Sequence, residues 1–216
     1  MFGLFSKKKK EPTEQEIKQV PADERRIYIF DFDRTITILH TGGLAYGKEL
    51  SPDSILKNIK KGFDDFVRRV TNCGHKAYIS SYSDDANADT VEEEALSGHE
   101  LIKFYMDVLF GRDQSLFTLP QKNESGDIVS EGNIIANNSQ DFKQFHLDTI
   151  SQCEGLDQNN PDDMKRIYLL EDDEDIVRHY MEKGCTTIVP YSASRSADTA
   201  VTKTLFTSYM PEAFSA

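Results

Sequence analysis

Short, wholly apolar runs alternate along the chain with longer amphipathic stretches, and that alternation predicts an α/β protein. Ile27-Tyr28-Ile29-Phe30 is an uninterrupted run of β-branched and aromatic residues, the pattern of a strand buried on both faces. Lys76-Ala77-Tyr78-Ile79, Ile167-Tyr168-Leu169-Leu170 and Thr186-Thr187-Ile188-Val189 repeat it. Helical periodicities lie between the runs. One comprises Ile55, Ile59, Phe63, Phe66, Val67 and Val70 behind a capping Ser51; others span Asp89 to Phe110, Phe145 to Ile150, and Ile176 to Lys183 with Gly184 as a stop. Strands separated by helices favour a parallel sheet, so the expected fold is a Rossmann-like, doubly wound parallel sheet flanked by helices. Residues 112–140 carry alternation around Leu116-Phe117-Thr118-Leu119 and turn signals at Asn123 to Asp127 and Gly132-Asn133, and are expected to form a small hairpin insert. Between the first two strands stand only a helix and a glycine-containing loop, Leu39 to Leu50, which leaves no room there for a large cap domain.

The ends of the apolar runs carry the chemistry. The first ends in Asp31-Phe32-Asp33-Arg34-Thr35, the Lys76 run in Ser80-Ser81, and the Ile167 run in Glu171-Asp172-Asp173-Glu174-Asp175. Carboxylates at the carboxyl edge of a buried strand sit where open α/β sheets bind their ligands. Two such anions side by side repel and lose hydration, so a cation between them is the natural compensation. Lys143, between a polar stretch and the Phe145 helix, is placed to project from a helix start toward the same edge. Taken singly, each group has an ordinary structural use: a turn, a helix start that favours acids, a surface lysine. Taken in order, an aspartate pair, a hydroxyl, a lysine and an acidic cluster form a phosphate-handling set.

On these residues the chain resembles the haloacid dehalogenase superfamily of phosphohydrolases, over about residues 25 to 190. Asp31-Phe32-Asp33-Arg34-Thr35 is similar to its first motif, DxDxT; Ser80 matches the hydroxyl of the second, Lys143 the lysine, and Glu171-Asp172 the last, acidic motif. Arg34 departs from the pattern, which commonly has a small residue there. The resemblance implies a Mg²⁺-dependent phosphomonoester hydrolase with Asp31 as nucleophile and Asp33 as general acid and base. It further implies Asp31, Asp33 and Asp172 as metal ligands, Thr35, Ser80 and Lys143 on the substrate phosphate, and Glu171, Asp173 and Asp175 behind them. Lys122 is the fallback for the lysine. In this family small or missing caps accompany macromolecular substrates. A phosphoprotein is therefore the expected substrate, phosphotyrosine first, by likeness to small capless phosphatases among effectors of intracellular bacteria and with Tyr46 and Tyr82 as ring-stacking candidates. The alternatives are a small-metabolite phosphatase, a phosphotransferase, or a catalytically weak binding module.

Composition narrows the partners. At 216 residues the chain is long enough to bury one core without disulfides. Its net charge of -12 argues against nucleic acid. Three widely spaced cysteines, Cys73, Cys153 and Cys185, point to a reducing, cytoplasmic compartment, including a host cell for a delivered effector. Mean hydropathy is -0.54, and no apolar run approaches the roughly 20 residues that span a bilayer. Residues 1–22 are expected to be a flexible basic tail, with weak membrane-surface contact through Lys7–Lys10 as its alternative use. Residues 23–216 are expected to be the catalytic domain.

Overall fold

A strand buried on both faces needs strands on both sides and helices above and below, and Ile27–Asp31 (β1) has them: all five of its residues are buried. The structure, a computed structural model, describes residues 20–90, 94–122, 128–130, 132–138 and 140–190. The basic run Lys7–Lys10 therefore lies outside the described residues. Strand β1 pairs in parallel with β3 (Lys76–Ser81) on one side and β8 (Ile167–Leu170) on the other, in registers that set Ile27 against both Lys76 and Ile167 and Asp31 against Ser80. Beyond β3 lies β7 (Ile134–Ala136), and beyond β8 lies β9 (Thr186–Ile188), giving the order β7-β3-β1-β8-β9, all parallel. The chain winds outward from β1 to β7 and then returns to β8 on the other side of β1. That reversal places the crevice of the sheet at the carboxyl ends of β1 and β8.

Strand alternation divides the core in two. Tyr28 and Phe30 point to one face, where they meet α2 (Phe63–Asn72) and α3 (Gly98–Phe110); Ile27 and Ile29 point to the other, toward α4 (Gln144–Glu154) and α6 (Glu174–Glu182). On the first face Phe30 meets Phe63 and Phe66 edge-on, at centroid distances of 5.2 and 5.9 Å, and such pairs add roughly 0.5–1.5 kcal/mol each beyond area burial.

Three elements differ from the sequence expectation. The Ile55-to-Val70 periodicity is two helices, α1 (Pro52–Asn58), capped by the Ser51 side chain, and α2. Between them Ile59 is extended and bridges Thr37, Lys60 N–H donates to the Ile36 carbonyl, and Gly62 at φ 89° opens the second helix. The break lets this segment clasp the turn that follows β1. Second, the helix expected from Asp89 starts only at Gly98; Ala95–Ser97 (β4) pairs antiparallel with Leu44–Tyr46 (β2), anchoring the glycine-containing Leu39-to-Leu50 loop as a two-stranded ribbon. Third, Ile134–Ala136, grouped with the hairpin insert, is an edge strand of the main sheet, while Gln121–Lys122 (β5) and Ile128–Ser130 (β6) form the antiparallel pair. A four-residue helix, α5 (Pro161–Met164), precedes β8. Among the described residues no helix is long and apolar enough to cross a membrane.

Candidate active site

Five stretches of chain meet at the carboxyl edge around an open cavity of about 510 Å³ lined by Asp31, Asp33, Tyr82, Lys143, Glu171 and Asp172 among others. Asp31 ends β1 and is 7% exposed. The following residues, Phe32–Ile36, make one wide turn closed by the Thr37 N–H on the Phe32 carbonyl, with Arg34 in the left-handed region at φ 61°. The turn carries Asp33 to the cavity. Its carboxylate accepts from Thr41 twice, at Oδ1 from the backbone N–H (2.8 Å) and at Oδ2 from the hydroxyl (3.2 Å). His40 Nδ1 also lies 3.2 Å from Asp33 Oδ2, but Nδ1 accepts the Gly42 N–H at 2.8 Å. That nitrogen therefore has no proton to give, and Thr41 is what holds Asp33.

Lys143 lies at the start of α4 with a left-handed φ of 61°, as does Phe142 at 54°. This conformation is uncommon outside glycine, and here it carries Lys143 inward until 1% of the residue is exposed. Its Nζ donates to Asp31 Oδ1 at 2.7 Å, Glu171 Oε2 at 2.7 Å and the Ser80 carbonyl at 3.1 Å, and stands 5.2 Å from the centre of the Tyr82 ring. Burial alone would discharge the ammonium; the charges of Asp31 and Glu171 override it and hold Lys143 above its usual value. One ammonium cannot neutralise two buried carboxylates. Burial, opposed by Lys143, accordingly raises Asp31 and pushes Glu171 up to about 7.

Asp172, half-buried, completes a group in which carboxylate oxygens of Asp31, Glu171 and Asp172 all lie within 4.8 Å of one another. An all-oxygen set of this kind suits a hard divalent cation such as Mg²⁺. Both oxygens of Glu171 are engaged, Oε2 by Lys143 and Oε1 by the Asp173 N–H, whereas Lys143 takes only Oδ1 of Asp31; Asp31 and Asp172 are therefore the two carboxylates best placed to hold one. Asp173 and Asp175 have structural partners as well. Asp173 caps α6, its side chain accepting from the N–H groups of Asp175 and Ile176, and Asp175 pairs with Arg178 at 3.0 Å.

Two residues expected on the phosphate do not line the cavity. Thr35 is fully buried and its hydroxyl has no hydrogen-bond partner among the described residues. Ser80 is also fully buried, with its Oγ 2.6 Å from His146 Nδ1. The serines that do line it are Ser81 and Ser83, and the Ser83 hydroxyl is taken up by the Gly43 carbonyl and the Gly98 N–H. Tyr82 lines it too; Tyr46 does not. Lys122 lies in β5, and its side chain is outside the described residues. Sequence reasoning missed Thr41, His40 and His146. The local cue for Thr41 was present: a hydroxyl followed by Gly42-Gly43 makes a tight turn within reach of Asp33. His146, 66 residues from Ser80, had no local cue.

No family model matches the chain, and neither does any curated protein. Among solved structures it is similar to the N-terminal part of the protein BF1531 from Bacteroides fragilis, described as containing a phosphatase domain complexed with Mg, at 16% sequence identity and a TM-score of 0.41. The similarity covers 84% of this chain and 40% of that one, so the match takes in about two fifths of the length of that structure.

Proposed function

We propose that the protein is a Mg²⁺-dependent phosphomonoester hydrolase that works through an aspartyl-phosphate on Asp31. The observation that carries this reading is the buried Asp31 carboxylate, fixed at Oδ1 by Lys143 and facing Asp172, with Asp33 beside it on the same cavity. Lys143 occupies one oxygen of Asp31, leaving Oδ2 with no hydrogen bond to the described residues and able to attack phosphorus in line. As the Asp31 oxygen bonds to phosphorus, the bond from phosphorus to the leaving oxygen breaks, and Asp33 gives that oxygen a proton. Water then attacks the same phosphorus, Asp33 takes its proton, and the bond to Asp31 breaks to release phosphate. Thr41 holds Asp33 in place for both transfers. Asp31, Asp172 and the Asp33 carbonyl would hold Mg²⁺, which when bound would supply charge neutralisation at the phosphoryl group. Lys143 keeps Asp31 ionised and oriented, and Ser81 takes the phosphate-facing place expected of Ser80.

A phosphoprotein is the substrate this reading favours, phosphotyrosine in particular. The cavity is open to solvent and Tyr82 stands in its wall. The test is hydrolysis of p-nitrophenyl phosphate by the full chain with Mg²⁺, with EDTA, and by Asp31→Asn with Mg²⁺. Turnover that EDTA and the variant both abolish supports the reading. Absence of turnover in folded protein would replace it with that of a binding module.

A further inference from the structure

Arg34 is unusual in conformation and in company. Its φ of 61° puts a long, charged residue where glycine is the unstrained choice. Both sides of its backbone are held: its N–H donates to Thr37 Oγ1 at 3.0 Å, and its carbonyl accepts from Lys60 Nζ. The guanidinium is not. It is exposed, lines the cavity, and has no ion pair or hydrogen bond to the described residues.

The surroundings make that freedom informative. Seven carboxylates line the cavity, against two Lys or Arg residues, Lys143 and Arg34. Lys143 is buried and committed to Asp31 and Glu171. Arg34 is therefore the one solvent-exposed permanent cation among the described lining residues. Its charge is felt at Asp172, yet it makes no contact there within 4.0 Å, so it does not serve as that acid's direct partner. A substrate bearing a second anion beside its phosphate would be repelled from this acidic mouth unless a cation met it. A guanidinium meets a carboxylate or a phosphate through paired, charge-assisted hydrogen bonds.

We propose that Arg34 reads the substrate: its guanidinium holds a second anionic group, a carboxylate or a second phosphate, lying next to the phosphate that is hydrolysed. This rests on the hydrolase reading above and narrows its substrate class to phosphomonoesters that are anionic at two places. Strain at residue 34 persists because only a side chain with a charged fork serves there, and glycine, which removes the strain, also removes the fork. Two sources supply the second anion: an acidic residue adjoining the phosphorylated residue of a protein, or a carboxylate on a small phosphorylated acid.

The experiment uses the full chain with Mg²⁺ and two matched substrate pairs. One pair is phosphotyrosine peptides with Glu or Gln beside the phosphotyrosine; the other is 3-phosphoglycerate against glycerol 3-phosphate. The wild type is expected to prefer the more anionic member of one pair by about tenfold in kcat/KM, with a preference that shrinks as salt rises. Which pair shows it identifies the source. Arg34→Gln and Arg34→Gly should bring the ratio near one, and Arg34→Lys should keep part of it. Arg34→Gly should also raise the melting temperature, the opposite of what loss of a purely structural residue would do. Turnover of p-nitrophenyl phosphate with no preference in either pair, or a preference that survives Arg34→Gln, would overturn this inference alone. No Mg²⁺-dependent turnover of any of them would overturn the hydrolase reading and this inference with it.

Discussion

Replacing Lys143 with methionine isolates the electrostatics on which the site depends. The ammonium sits 2.7 Å from one oxygen of Asp31 and 2.7 Å from one of Glu171, and the three residues are 1%, 7% and 1% exposed. Methionine fills most of the volume, so the cavity cost is small and the loss is that of the charge. Two carboxylates then face each other in a buried site, and removing one partner from such a cluster costs about 3–5 kcal/mol. For a domain of this size that lowers the melting temperature by roughly 6–20 °C. Glu171→Gln in the same chain removes the surplus negative charge and should recover more than half of the loss. The four proteins of this cycle, compared by urea unfolding at pH 7.5 without Mg²⁺, report the coupling directly. Lowering the pH protonates the facing carboxylates, so the penalty of Lys143→Met alone should shrink toward pH 5. A single variant that loses under about 1 kcal/mol, or a Glu171→Gln substitution that rescues nothing, would refute the shared-ammonium account.

Three further outcomes follow from particular contacts. Mg²⁺ should raise the melting temperature of the wild type, by the equivalent of about 2.7 kcal/mol at a hundred times its dissociation constant, and should do so far less in Asp172→Asn; equal shifts in differential scanning fluorimetry would remove Asp172 from the metal site. His75 is buried, its Nδ1 accepting the Arg26 N–H at 3.0 Å, and burial with the nearby charges of Arg26 and Arg25 lowers it to about 4. The unfolded chain, titrating near 6.5, then binds the extra proton first, so stability falls as pH drops from 6.5 to 4, by at most about 3 kcal/mol from this group. His75→Asn, which keeps an acceptor, should flatten that slope in urea midpoints measured across the window, and parallel curves would count against it. Ser83 Oγ donates to the Gly43 carbonyl at 2.9 Å and accepts the Gly98 N–H at 2.8 Å, tying the ribbon to α3. Ser83→Ala should cost about 1–3 kcal/mol and speed amide exchange at Gly98; unchanged exchange there would show that the tie is dispensable.

Much of the fold is written in short-range pattern, because buried parallel strands must be apolar throughout and their ligand-bearing ends stand out against that background. Asp31 and Glu171-Asp172 were legible for this reason. What escaped depended on contacts between distant segments. Ala95–Ser97 continues the polarity of the helix after it, and its partner Leu44–Tyr46 makes it a strand, a case of tertiary pairing overriding local pattern. Ile134–Ala136 is only three residues long and follows a turn, so nothing near it distinguishes an edge strand from a hairpin arm. The break between α1 and α2 was legible in part, since Lys60-Lys61-Gly62 interrupts the apolar face, but its purpose was not: the extended residues clasp the turn that presents Asp33 and Arg34.

The site divides along the same line. Lys143 was singled out from its place in the order of motifs, yet it enters the core through left-handed backbone at Phe142 and Lys143 that no residue type there announces. Ser80 and Ser81 are neighbours on one strand, and local pattern has no means of ranking them. The ranking comes from His146, in the first turn of α4, which takes the Ser80 hydroxyl into the core beside the very helix start that delivers Lys143. The two placements are therefore linked: the backbone that buries the lysine also sets the histidine against Ser80, leaving Ser81 to line the cavity. Loss of His146 should accordingly loosen Lys143 as well as Ser80, a coupling that exists only at the level of the assembled sheet edge.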